Sequence, residues 1–217
     1  MKIPVLYHDN YLIVCDKPVG IFSESPGLPD QIAEQYSIPV WPVHRLDRDT
    51  GGVIILARSP EICSMIQKQF LQHTVRKEYL AVISGSLSEP SGKYVDLLFH
   101  DKTKNKSFIV SRRKAGVKEA QCEWKQICSV FCGDDEISLV RVLLHTGRTH
   151  QIRVQFGSRS HPIVGDGRYG SRIKADAPAL WSYRISFPHP CIRDCNVCVS
   201  SVPPSVFPWN IIIPEKL

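Results

Sequence analysis

Nine residues, "HRLDRDTGG" from His44 to Gly52, set two carboxylates, two arginines and a histidine directly before the apolar run "VIILA". Asp47 and Asp49 stand two apart. On an extended backbone their side chains share one face, with Cα atoms roughly 6 to 7 Å apart, which suits paired-carboxylate chemistry of the glycosidase kind. Arg45 and Arg48 carry the planar fork that holds an acid ionised or grips a phosphate. The plainer reading is a solvated turn whose charges satisfy one another. Its place at the mouth of a buried strand favours a site, because loops at the ends of rigid elements are where scaffolds present functional groups.

Other residue groups carry weaker chemistry. Cys191, Cys195 and Cys198 have the C-x3-C-x2-C spacing of an iron-sulfur motif, and His189, Cys128 or Cys132 would complete a zinc set. Such a motif belongs early in a barrel, and this chain is too short for one. We read these cysteines as strand residues packed as small apolar groups, with no metal. His145, His150 and His161 do not fall at the spacing of a helical ligand pair. Gly165, Gly167 and Gly170 lack the strand-to-helix setting of a phosphate loop and read as a turn.

The elements that must position these residues follow from composition and pattern. The chain has 217 residues, 43% hydrophobic and 22% charged, values that suit one domain over 1–217 with its own core. The balance of 27 Lys and Arg against 21 Asp and Glu, a net +6, favours polyanionic partners. Asp9, Asn10 and Asp16 interrupt the region where a signal peptide needs an apolar core, and no apolar run approaches about 18 residues. A soluble, cytoplasmic protein with reduced cysteines is therefore expected.

"IPVLYHD" and "YLIVCDKP" read as two strands around an Asp9-Asn10 turn. "GGVIILARS" reads as a strand buried on both faces, entered through a tight turn at Gly51 and Gly52. Ser59, Pro60 and Glu61 cap a helix over about 60 to 72, with Ile62, Met65, Ile66 and Phe70 on its apolar face. "EYLAVISG" is a further strand buried on both faces. Residues 100 to 118 form a basic surface hairpin or loop with Lys102, Lys104, Lys106, Arg112, Arg113, Lys114 and Lys118. Segments 120 to 130 and 136 to 144 pair through a Gly133-Asp134-Asp135 turn. Residues 148 to 156 contain a short helix, and the C-terminal third is strands and turns. The expected class is α+β, a mixed and largely antiparallel central sheet flanked by a few helices and loops.

"HRLDRDTGG" resembles the HRLD-x-x-T-S-G signature of the RluA-type pseudouridine synthases. "DKPVG" (16–20), "RKEYLA" (76–81), "TGRTHQIRV" (146–154) and "HPIVGDGRYG" (161–170) resemble further blocks of that family, in order, so that the likeness spans about residues 10 to 190. The resemblance implies the pseudouridine synthase catalytic fold and the isomerisation of a uridine in ribosomal or transfer RNA, without a cofactor. It makes Asp47 the catalytic acid, Tyr79 a ring stacked on the uracil, and Arg153 the arginine that pairs with the aspartate. Asp49 falls on a position without fixed identity, which weakens the paired-carboxylate idea. Arg45 becomes an RNA contact able to fill the gap left by an extruded base, and the basic segment a grip on RNA. The usual accessory RNA-binding domain has no room before residue 16, and a monomer is the default. Gly51 stands where the family has Ser, and Gln155 where it has His; these departures leave room for a catalytically inactive RNA-binding member of the same fold. A hydrolase using Asp47 and Asp49 is the third reading.

Overall fold

The computed structural model describes residues 2–213, which form two compact units, one of residues 2–78 with 181–203 and the other of residues 79–180 with 204–213. In chain order the elements are β1 (Val5–His8), β2 (Leu12–Lys17), α1 (Leu28–Tyr36), β3 (Trp41–Pro42), β4 (Gly51–Ala57), α2 (Pro60–Leu71) and β5 (Arg76–Ser84). They continue with β6 (Ser91–Asp101), β7 (Lys106–Val110), β8 (Val117–Cys132), β9 (Asp135–Leu144), α3 (Gln151–Gly157), β10 (Leu180–Pro188), β11 (Asn196–Ser200) and α4 (Trp209–Ile212). The chain crosses from one unit to the other inside β5, after the first residue of β10, and again between Pro203 and Pro204.

The first unit orders its strands β1-β2-β4-β10, with β3 on β4 and β11 on β10. β4 and β10 run parallel, whereas β1–β2, β2–β4 and β10–β11 are antiparallel. The second unit orders β5-β9-β8-β6-β7, antiparallel through β9, β8, β6 and β7. The architecture is the expected α+β class.

β4 is buried along its whole length, as its unbroken apolar run requires of a strand covered on both faces. Val53, Ile55 and Ala57 pack with Ile62, Cys63 and Ile66 of α2. The cap of α2 is the expected one: the Ser59 side chain accepts the Ile62 amide at 3.3 Å, with Pro60 opening the helix.

Gly51 and Gly52 are not a turn. They are the first two residues of β4, paired with Trp181 and Ser182 of β10. A Cβ on Gly51 would lie 2.2 Å from the Trp181 ring, and one on Gly52, whose φ is +105°, would lie 2.3 Å from the Ser182 carbonyl oxygen. The glycines allow a second strand and an indole to close on the start of β4.

Sequence pattern misses α1, whose buried anchors are Leu28 and Ile32 and whose entry is held by the Asp30 carboxylate accepting the Gly27 amide at 2.7 Å. It misses α4 for a like reason, since four residues give no period. The basic segment is a hairpin, as its composition suggests: β6 turns into β7 over 102–105, and the Asp101 carboxylate accepts the Thr103 and Lys104 amides. Cys191 and Cys198 are exposed rather than packed, because β11 buries Val197 and Val199 and turns Cys198 outward. No described helix is long and apolar enough to cross a membrane.

Replacing Gly51 by Ser should lower the unfolding free energy by about 1–3 kcal/mol through overpacking against Trp181. Urea titration measures it, and adding Trp181→Leu should restore at least half of the loss. An unchanged midpoint in the single variant would show that the indole yields freely.

Candidate active site

Asp47 lies in the loop that leads into β4, and that loop is tied down at nearly every residue. His44 accepts the Ile55 amide on Nε2 at 3.1 Å, stacks at 5.0 Å from the Phe70 ring, and is pushed down to about 3 by burial and then by the Lys77 ammonium. It is neutral, and its proton sits on Nδ1. Ser23 grips Leu46 twice, its hydroxyl donating to the carbonyl at 2.9 Å and accepting the amide at 3.0 Å. The Thr50 amide donates to the Asp47 carbonyl at 3.0 Å, closing a turn over 47–50.

That turn corrects the paired-carboxylate geometry, which needs an extended backbone. Asp49 is exposed on the turn while Asp47 is only partly exposed. The Arg48 Nε donates to the Gly20 carbonyl at 3.1 Å, its own carbonyl accepts the Gly20 amide at 2.9 Å, and its guanidinium lies over the Phe22 ring. Arg45 is exposed and paired with Glu24 at 3.0 Å. At about two-thirds exposure on both sides, such a pair contributes at most about 1 kcal/mol and is readily exchanged for another anion.

Lys17, which residue types alone do not single out, ties this loop to the sheet. It ends β2 with no surface exposed, and its ammonium donates to the carbonyls of Pro18 at 3.0 Å, Ile21 at 2.7 Å and Arg48 at 3.1 Å. Burial pushes it down to about 8, against the pull of the Asp49 and Asp47 charges. The signal is present in "DKPVG": a lysine closing an apolar strand is a charge that needs buried acceptors.

The second unit holds the other two expected residues. Tyr79 is 7% exposed, in β5. Arg153 is 7% exposed on α3 and forks onto Asp166, Nε to Oδ2 at 2.7 Å and Nη2 to Oδ1 at 2.9 Å. The fork also lies over the Tyr169 ring, 5.3 Å from its centre. The Tyr169 hydroxyl accepts the Ser107 amide at 2.8 Å and hydrogen-bonds Nδ1 of buried His150 at 3.0 Å. Asp166 and Tyr169 lie inside "GDGRYG", a stretch whose glycines alone stand out in the sequence. His150 enters α3 with φ +54°. Three buried polar groups thus orient one guanidinium.

Residues 11–158 match the family described as RNA pseudouridylate synthase. The chain belongs to this family. Its members are isomerases that act on RNA. It is 33% identical to a tRNA pseudouridine synthase C of Pasteurella multocida over 97% of this chain and 98% of that one. It is 30% identical to a ribosomal large subunit pseudouridine synthase D of Borreliella burgdorferi, over 85% of this chain and 61% of that one. The fold matches human RNA pseudouridylate synthase domain containing 1 with a TM-score of 0.79, at 22% identity over 94% of this chain and 84% of that one.

Two departures of this pseudouridine synthase from the family pattern have packing reasons. The room for a serine side chain at 51 is taken by Trp181. Gln155, fully buried, donates to Asp96 at 2.8 Å and to the Ala120 carbonyl, and accepts the Cys122 thiol at 3.3 Å, so no polar atom is left wanting.

Two measurements probe these anchors. The folded value of Lys17, about 8, lies below its ordinary 10.5, so between them the unfolded chain binds more protons and folding stability rises with pH. The stability difference between wild type and Lys17→Met should therefore grow in favour of wild type from about pH 7.5 to about pH 9.5 in urea titrations, and a flat difference would refute the shift. Asp166→Ala should cost about 3–5 kcal/mol, because it leaves Arg153 buried without that carboxylate; thermal unfolding reads the loss.

Proposed function

We propose that this chain converts a specific uridine of ribosomal or transfer RNA to pseudouridine, with Asp47 as the catalytic carboxylate. The observation that carries the reading is the tethering of residues 44–50: neighbours on both sides of Asp47 are bonded into the sheet and the 18–23 loop, while Asp47 itself stays partly open to solvent. A carboxylate on a prepaid scaffold reacts without the entropy of first being positioned.

The reaction breaks the C1′–N1 bond, keeps the uracil in the pocket, rotates it and rejoins it through C5. The carboxylate acts as nucleophile or base at the sugar or the base, and retention of the detached uracil prevents simple hydrolysis. The family likeness gives Tyr79 the role of covering the uracil face and Arg153 that of keeping the carboxylate ionised. The target uridine must leave its stack to be reached, and Arg45, with an exposed guanidinium on a weak ion pair, suits the vacancy. The names of the relatives, one acting on tRNA and one on the large ribosomal subunit, support both RNA classes. The two departures that would favour an inactive RNA-binding member are explained by packing, and so weigh little for it.

Wild type and Asp47→Asn, incubated with bulk RNA from a strain lacking the protein, should differ in one respect: pseudouridine forms at a new site only with wild type, the variant losing at least about a hundredfold in rate. Isomerisation by Asp47→Asn at the wild-type rate would end this assignment. Release of free uracil would instead indicate a hydrolase.

A further inference from the structure

The second unit contains a cavity of about 730 Å³ that the catalytic residues do not use. Its walls come from the end of β6, the 102–103 turn, the start of β8 and residues 147–149, the segment that leads into α3. Leu98 and Ser107 are buried in its floor, and His100 is partly exposed beside them. Lys102 and Lys118 are exposed at its edge, and Arg148 is held along the wall by its Nε donating to the Glu119 carbonyl at 2.8 Å. The acid in the lining, Asp101, has one oxygen committed to the amides of Thr103 and Lys104.

The His100 ring is fixed. The Ser107 hydroxyl donates to the Thr149 carbonyl at 2.6 Å and so accepts from His100 Nδ1 at 3.2 Å. The ring also stands edge-on to His150 at 6.0 Å. A volume of this size lies within the roughly 300–1,000 Å³ of sites that enclose a small molecule, large enough for an unstacked nucleotide. Cations at the rim with an aromatic ring and an aliphatic floor beneath them are the combination that holds single-stranded nucleic acid, phosphates outside and base within. A duplex turns its bases inward and would leave that floor empty.

We propose that this cavity binds an unpaired nucleotide of the substrate RNA other than the uridine that reacts, its base against His100 and Leu98 and its phosphates on Lys102, Lys118 and Arg148. The proposal rests on RNA being the substrate, and it adds a point of recognition that selects for single-stranded sequence outside the catalytic residues. It acts on binding and leaves the chemical step alone.

The test measures binding of a labelled single-stranded oligouridylate and of a fully paired RNA duplex over a series of salt concentrations, using the full chain. Lys102→Ala/Lys118→Ala is compared with Lys93→Ala/Lys125→Ala, a charge-matched pair on exposed positions of β6 and β8. The cavity variant should bind the oligouridylate about tenfold more weakly at low salt, with the slope of log affinity against log salt reduced by about 1.4, or 0.7 for each phosphate that is no longer neutralised. The control pair should leave both values near wild type, and the duplex should show little difference between the two variants. Equal losses in the two variants would overturn the proposal, as would an unchanged slope. So would polyglutamate competing with the RNA at equal affinity, which would make the cavity a seat for acidic protein. Because binding is read without turnover, a failure here is separable from isomerisation by Asp47→Asn, which would sink the active-site reading instead. His100→Ala keeps the cations and should lose affinity for the oligouridylate with no change in slope.

Discussion

A lysine ammonium with no exposure to water is the constraint around which the first unit is arranged. Removing such a charge from solvent is costly unless its donors are met. In this chain the acceptors are three main-chain carbonyls, from Pro18, Ile21 and Arg48, so satisfying one side chain at the end of β2 fixes two separate loops at once. The Arg48 carbonyl takes a second donor from the Gly20 amide, and the Arg48 side chain returns a bond to the Gly20 carbonyl. Asp47 sits next to the residue on which all these bonds converge. Main-chain bonds thus hold the backbone on the C-terminal side of Asp47 to the end of β2 and the 18–21 loop.

The second unit solves a comparable problem with side chains. Arg153 is buried in α3 and carries a charge that demands partners, which Asp166 meets with a two-pronged bond while the Tyr169 ring lies beneath. Tyr169 is fixed in turn by the Ser107 amide and His150, and burial pushes its phenol up. A guanidinium supported in this manner has few orientations open to it.

Much of the fold is legible in the sequence because it rests on short-range rules. The β4 run reads as doubly buried since no polar residue interrupts it, and Ser59-Pro60-Glu61 announces α2 because a cap and a first-turn proline act over three residues. The hairpin of β6 and β7 is recognisable from its density of lysine. α1 is not, since few of its residues, Leu28, Pro29 and Ile32, are buried, and Pro26, Gly27 and Pro29 at its entry read equally well as loop. The cysteines of 191–198 mislead for the same kind of reason: alternation along β11 decides which residue turns inward, and the register of β11 on β10 is a tertiary fact.

By itself the sequence determined the candidate residues, Asp47, Arg45, Tyr79 and Arg153, together with the α+β class and the likeness that named the chemistry. It could do so because motifs and periodicity are local. Only the tertiary structure decided that 47–50 is a turn, so that Asp47 and Asp49 do not share an extended face, that Gly51 is glycine because an indole from residue 181 occupies its side-chain space, that Lys17 ties the Asp47 loop to β2, and that Asp166 and Tyr169 hold Arg153. Those decisions depend on burial and on partners distant in the chain. A charge or a missing methyl has no meaning for the fold until it is known what lies against it.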